Sequence, residues 1–166
     1  MVNLGTGTLA VDAAGEWQSL GTGGIMRNKE NCAILYGEHV YGTSESGGNL
    51  RCVQFSASNL VWQSGSSGVS YGTESAVMLA DHQLVIMNGT EGSTADGDLV
   101  VVNATPTGYQ EVYRTNDIVG GDTWTTPTLA NGRLYLRSQN GTLVCYDVNG
   151  DTNADQMADS WAQQYA

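Results

Sequence analysis

Basic residues are scarce: 6 Lys and Arg face 17 Asp and Glu, a formal net charge of −11. Such a field repels phosphate backbones, because nucleic-acid affinity comes from Lys and Arg displacing counterions. It disfavours an anionic bilayer surface for the same reason. Apolar runs are short, and the longest, Ala76 to Ala80, falls far below a membrane span. The opening Met1-Val2-Asn3-Leu4-Gly5 lacks the charged and apolar segments of a signal peptide. Three cysteines are too few for a disulfide framework, and without a CxxC pair their spacing speaks against zinc. No GxxxxGK[ST] phosphate loop occurs. The two histidines assemble no Ser-His-Asp arrangement. Proline occurs only twice.

Glycine, by contrast, occurs 22 times, as suits a chain that turns often. The turns recur. Leu35-Tyr36-Gly37-Glu38-His39-Val40-Tyr41, Leu79-Ala80-Asp81-His82-Gln83-Leu84-Val85 and Leu129-Ala130-Asn131-Gly132-Arg133-Leu134-Tyr135 share one pattern, apolar residues flanking a four-residue polar turn. Val40, Leu84 and Leu134 lie 44 and 50 positions apart. A second strand follows each hairpin: Gly48-Asn49-Leu50-Arg51-Cys52, Gly97-Asp98-Leu99-Val100-Val101 and Gly141-Thr142-Leu143-Val144-Cys145. A period of about 40 to 50 residues marks stacked supersecondary units, the length of a four-stranded propeller blade. Val77, Leu84, Val85, Ile86, Val100, Val101 and Val102 favour strands, and helical periodicity is absent there. Each such sheet is apolar on both faces and needs neighbours to cover it.

Residues 1 to 31 hold a degenerate copy of the second strand, Gly7-Thr8-Leu9-Ala10-Val11-Asp12, leading to Trp17. Trp62 lies 45 positions beyond Trp17, in Asn59-Leu60-Val61-Trp62, and Tyr113 takes that place in the next copy. An aromatic at the end of an outer strand can bury its ring between adjacent sheets. Cys52 and Cys145 occupy equivalent places, where Val101 stands in the other copy, so both are expected as free core thiols. The largest insertion, Asn88 to Asp96, reads as a solvated polar loop or a binding loop on one face. Three sequons, at Asn88, Asn103 and Asn140, read as turn chemistry.

Thr126-Pro127-Thr128-Leu129-Ala130-Asn131-Gly132-Arg133-Leu134-Tyr135, followed by Gly141-Thr142-Leu143-Val144-Cys145-Tyr146-Asp147, resembles the repeats of pyrroloquinoline-quinone-like β-propellers. Asn59-Leu60-Val61-Trp62 is similar to that family's tryptophan-docking strand. The resemblance covers about residues 5 to 148 and specifies fold better than activity. It implies a partial propeller, the C-terminal blades of something longer, in a family that includes quinoprotein alcohol dehydrogenases, an outer-membrane assembly scaffold and secreted bacterial proteins. The dehydrogenases hold their quinone with a stacking tryptophan, a disulfide between adjacent cysteines and calcium. No Cys-Cys pair occurs here. Trp124 either faces a central channel or packs within a blade, and His39 and His82 read as hairpin-turn residues rather than bases. No quinone-binding or catalytic residue is therefore assigned.

The tail carries one local motif. Asp151, Asn153, Asp155 and Asp159 fall at positions 1, 3, 5 and 9 of a calcium loop, and Met157 offers a backbone carbonyl at 7. The spacing resembles the Asp-rich loops of thrombospondin type 3 and dockerin-like segments. Gln156 replaces the expected glycine and Ala162 the bidentate glutamate, which lowers affinity. An Asp-rich linker capping a short helix accounts for the same residues, with Met157, Trp161 and Tyr165 on one face.

The sequence thus predicts an all-β chain: an incomplete propeller of about three and a half four-stranded antiparallel blades over 1–148, and a tail with a short helix over 149–166. The expected function is a non-enzymatic binding or scaffold module in the periplasm or outside the cell, partnered by the remaining blades or another protein. The alternative is a segment of a quinoprotein alcohol dehydrogenase whose catalytic residues lie elsewhere.

Overall fold

The computed structural model describes residues 10–11, 17–18, 25–26, 28, 32–44, 47–55, 59–72, 75–89 and 97–148. Thirteen strands lie among them, with one short 3-10 turn at Ser64–Ser67 and no α-helix. A two-stranded pair comes first, β1 (Ala10–Val11) and β2 (Trp17–Gln18). Three antiparallel meanders follow in chain order. The first sheet holds β3 (Ile34–Tyr36), β4 (His39–Ser44), β5 (Asn49–Gln54) and β6 (Asn59–Gln63). The second holds β7 (Ala76–Ala80), β8 (Gln83–Asn88), β9 (Asp98–Asn103) and β10 (Glu111–Thr115). The third holds β11 (Thr128–Ala130), β12 (Arg133–Arg137) and β13 (Leu143–Asp147). The expected fourth strand of this sheet is not among the described residues.

Each repeated hairpin closes over two residues, not the expected four-residue turn. Tyr36 pairs with His39, Ala80 with Gln83 and Ala130 with Arg133. Tight hairpins of this kind need positive φ at one or both central residues so that their twist matches the strands. Gly37 meets that need at φ 59, and Asn131-Gly132 at 51 and 66. Asp81-His82 adopts the same conformation at 45 and 61 without a glycine. His39 therefore begins β4 instead of lying in the turn.

Alternation along the central strands sorts side chains into two cores. Leu84, Ile86, Val100 and Val102 point from the second sheet toward the first, meeting Tyr41, Leu50, Cys52 and Tyr71. Val85, Met87 and Leu99 point the other way, onto Leu134, Leu136 and Val119. The second sheet is thus sealed on both faces, and neither core belongs to one sheet alone. Gly42 lets Met26, Asn28 and Ala33 cover the remaining face of the first sheet, where an added Cβ would lie 3.0 Å from the Asn28 amide.

The third sheet differs. Tyr135, Arg137, Leu143 and Cys145 stand where the first sheet has Tyr41, Thr43, Leu50 and Cys52, all buried beneath the second. Here Leu143 is 65% exposed, and Cys145 is exposed as well. The expectation of a buried Cys145 is corrected on this point: the strand position repeats, but the described residues hold no sheet to cover it.

Candidate functional site

Polar groups concentrate at one end of the sheets, where β4, β8 and β12 finish. Thr43, Ser44, Ser64, Ser75, Asn88, Asp98, Thr123 and Ser138 are all buried there. Burying such groups costs free energy unless each finds a partner, and these find partners across the seams. Asn28 donates to the Thr43 carbonyl at 3.2 Å, and the Thr43 hydroxyl donates to the Ser75 carbonyl. Asn88 Oδ1 accepts from the Gly72 amide at 2.7 Å and the Ser75 hydroxyl at 3.1 Å. Ser75 in turn accepts from the Gly89 amide, and Thr123 donates to the Asn88 carbonyl at 3.3 Å. One line of hydrogen bonds thereby runs from the segment before the first sheet to the approach of the third. The sequence suggests Asn88 as the foot of a solvated loop; it is instead the buried hub of this line.

A second cluster fills the outer part of the seam between the first two sheets. Trp62 tilts against Tyr41 and meets Tyr109 edge-on, with ring centroids 6.1 and 6.0 Å away. Its indole N–H donates to the Thr105 carbonyl at 2.8 Å. Tyr71 and Tyr109 share a hydroxyl bond of 2.7 Å, and Tyr109 donates onward to Glu111 at 2.5 Å. Arg114 forks onto both Glu111 oxygens at 2.9 Å and reaches Asp98 at 3.5 Å.

The electrostatics follow from that geometry. Arg114 holds the Glu111 carboxyl below its ordinary value, opposed by partial burial and helped by Tyr109. Burial pushes Tyr109 up to about 12 and Tyr71 higher still. Both phenols stay neutral donors at physiological pH. Glu111 is committed to Arg114 and Tyr109, which suits a clasp between sheets better than an acid or base.

Other residues singled out in the sequence fall apart from one another. His39 is half-buried beside Tyr41, with ring centroids 6.4 Å apart. His82 sits at an exposed hairpin tip and bonds through Nδ1 to the Tyr36 hydroxyl. Trp124 lies in the link before β11, partly exposed. Cys52 is buried, and burial raises its thiol to about 11. Asn140 caps its own turn, its Oδ1 accepting from Ser138 and Thr142. The expected calcium set, Asp151, Asn153, Asp155, Met157 and Asp159, lies outside the described residues, as does the short helix. Among the described residues no cluster of His, Cys, Asp or Glu is placed to hold a metal ion, and no helix is long and apolar enough to cross a membrane.

What fold and seams together define is an all-β protein of serially stacked antiparallel meanders. No protein-family model matches the chain, and no curated protein matches it. Among solved structures it is similar to the computationally designed Ika4 protein, at 8% identity and a TM-score of 0.38, over 74% of this chain and 95% of that one. It is also similar to BamB from Moraxella catarrhalis, at 13% identity and a TM-score of 0.28, over 69% of this chain and 56% of that one. The chain thus spans little more than half of BamB's length.

Proposed function

We propose that this chain is a run of β-propeller blades serving as a non-catalytic binding or scaffold module, in the periplasm or outside the cell. The outward face of the third sheet, which no sheet among the described residues covers, carries the reading. In both seams the face formed by these strand positions is covered by a following sheet of the same repeat: Tyr41, Leu50 and Cys52 by the second sheet, Val85, Met87 and Leu99 by the third. Tyr135, Arg137, Leu143 and Cys145 present the next such face. Its occupant is therefore a further sheet of this repeat type, supplied by a longer chain or by another molecule. Shared cores make isolated repeats inadequate globules and give repeat proteins their extended binding surfaces.

Leu143→Asp tests the docking face. If a sheet seats there, the wild-type chain self-associates in sedimentation, and the substitution returns it to monomers without changing the circular dichroism spectrum. Association that ignores this substitution would sink the proposed surface. Dye-linked alcohol oxidation after addition of pyrroloquinoline quinone and calcium would overturn the non-catalytic reading and favour the dehydrogenase alternative.

A further inference from the structure

An asparagine followed by glycine is chemically vulnerable, because a residue without a side chain leaves its backbone nitrogen open to attack the preceding amide carbon. Three such pairs lie among the described residues: Asn88-Gly89, Asn131-Gly132 and Asn140-Gly141. A fourth, Asn149-Gly150, lies outside them. The fold treats the three differently.

Asn88 is buried, and its Oδ1 is held by the Gly72 amide and the Ser75 hydroxyl. The Gly89 nitrogen, which would have to attack, donates to the Ser75 hydroxyl at 3.1 Å. Asn140 is exposed but clamped. Its Oδ1 accepts from the Ser138 hydroxyl and from the amide and hydroxyl of Thr142, and its Nδ2 donates to the Gly120 carbonyl at 3.3 Å. The Gly141 amide is engaged as well, donating to the Ser138 carbonyl at 3.2 Å.

Asn131 stands at the exposed tip of the β11–β12 hairpin. The ladder there closes between Ala130 and Arg133, so the Gly132 N–H lies outside it. No hydrogen bond among the described residues holds that amide or the Asn131 side chain. At φ 51 Asn131 is in the left-handed turn conformation, in which the next nitrogen points away from the side chain. Ring closure therefore requires the tip to open. Opening frees only β11, a strand of three exposed residues at one end of its sheet. Short exposed strands with few buried contacts open at low cost.

We propose that Asn131 is a site of spontaneous covalent modification, with water as the co-reactant. The Gly132 nitrogen bonds to Asn131 Cγ, the Cγ–Nδ2 bond breaks, and ammonia leaves with the proton that Gly132 gives up. Water then opens the resulting succinimide. Cleavage at Cγ gives aspartate, and cleavage at the main-chain carbonyl gives isoaspartate. The aspartate product fits the turn, since Asp81 adopts the same conformation at φ 45 in the equivalent hairpin. Isoaspartate adds a backbone atom to a turn of two residues, which breaks the register of β11 against β12.

Peptide mapping of the unaltered protein, aged in warm, mildly alkaline buffer, tests the assignment. Asn131 should lose its amide at least about tenfold faster than Asn88 or Asn140, as expected when only its segment opens locally. In urea the three rates should converge. Conversion of Asn88 or Asn140 as fast as Asn131 in native buffer would overturn the proposal, as would an Asn131 that reacts only in urea. Asn131→Asp supplies the charge of the product without the added backbone atom. Hydrogen exchange of the β11 amides should be faster in the isoaspartate fraction than in this variant. Equal exchange would contradict the broken register.

Discussion

The Trp62 indole N–H, on the outermost strand of the first sheet, bonds at 2.8 Å to the carbonyl of Thr105, just beyond the third strand of the second. That tie, reinforced by the rings of Tyr41 and Tyr109, is where one repeat grips the next.

Separating its two components is the first expectation. Trp62→Phe keeps most of the ring and loses one hydrogen bond, at a cost of about 0.5–1.5 kcal/mol. Trp62→Ala also loses the ring contacts, and for this half-buried side chain the cost is about 2–3 kcal/mol, below the range for a fully buried aromatic. Urea denaturation of the two variants measures both. Equal losses would show that the ring contributes nothing at the seam.

Asn88→Ala removes the acceptor shared by the Gly72 amide and the Ser75 hydroxyl. A buried donor left without a partner costs about 1–3 kcal/mol. The expected loss is therefore at least about 2 kcal/mol in the denaturation midpoint analysis. A solvated loop asparagine would lose almost nothing.

Gly48 and Gly97 occupy the same repeat position at φ 57 and 85, pressed against the following link. An added Cβ would lie 2.2 Å from the Tyr71 carbonyl oxygen at the first and 1.8 Å from that of Val119 at the second. Either Gly→Ala change forces the seam apart. Gly37 has a comparable φ of 59 but open space around it, so Gly37→Ala costs only the left-handed backbone term, about 1–2 kcal/mol. Thermal melts should rank Gly37→Ala mildest. A Gly97→Ala protein as stable as Gly37→Ala would contradict this packing.

Much of this architecture is legible in the sequence. The hairpins, the second strands and the outer aromatics recur there, and they map onto β3–β4, β7–β8 and β11–β12, onto β5, β9 and β13, and onto β6 and β10. Strand identity depends on local periodicity, which one sequence displays. Burial depends on what lies across the seam, which periodicity does not show. Cys52 and Cys145 share a repeat position, yet only Cys52 has a sheet above it. Asn88 has the composition of a loop, and only the approach of Gly72, Ser75 and Thr123 makes it a buried hub. His39 falls in β4 rather than in a turn because the turn at Gly37-Glu38 is two residues long, shorter than its polar composition suggests. The Tyr71–Tyr109–Glu111–Arg114 clasp is only half local: Tyr109, Glu111 and Arg114 meet within the approach to β10 and β10 itself, and Tyr71 joins them from the link between the sheets only once the sheets stack.

The clasp makes stability depend on pH in the acid range. Glu111 is held below its ordinary value, so its contribution is present above the unfolded carboxyl pKa near 4.5 and is lost as pH falls through the lower folded value. The wild-type melting temperature should drop more steeply between about pH 5 and pH 3 than that of Arg114→Met, in which the fork is gone. Parallel pH profiles would show that Glu111 gains nothing from its partner.

The decisive measurement concerns the shared core. Ile86→Ala removes a fully buried side chain from the second sheet, where it faces the first, at a cost of about 2–5 kcal/mol. Native-state hydrogen exchange on this variant reads where the loss is felt. If adjacent sheets hold one another up, protection of the β4 and β5 amides falls together with that of β8 and β9. Loss of protection in β7–β10 alone, with β4 and β5 unchanged, would mean that each sheet stands by itself.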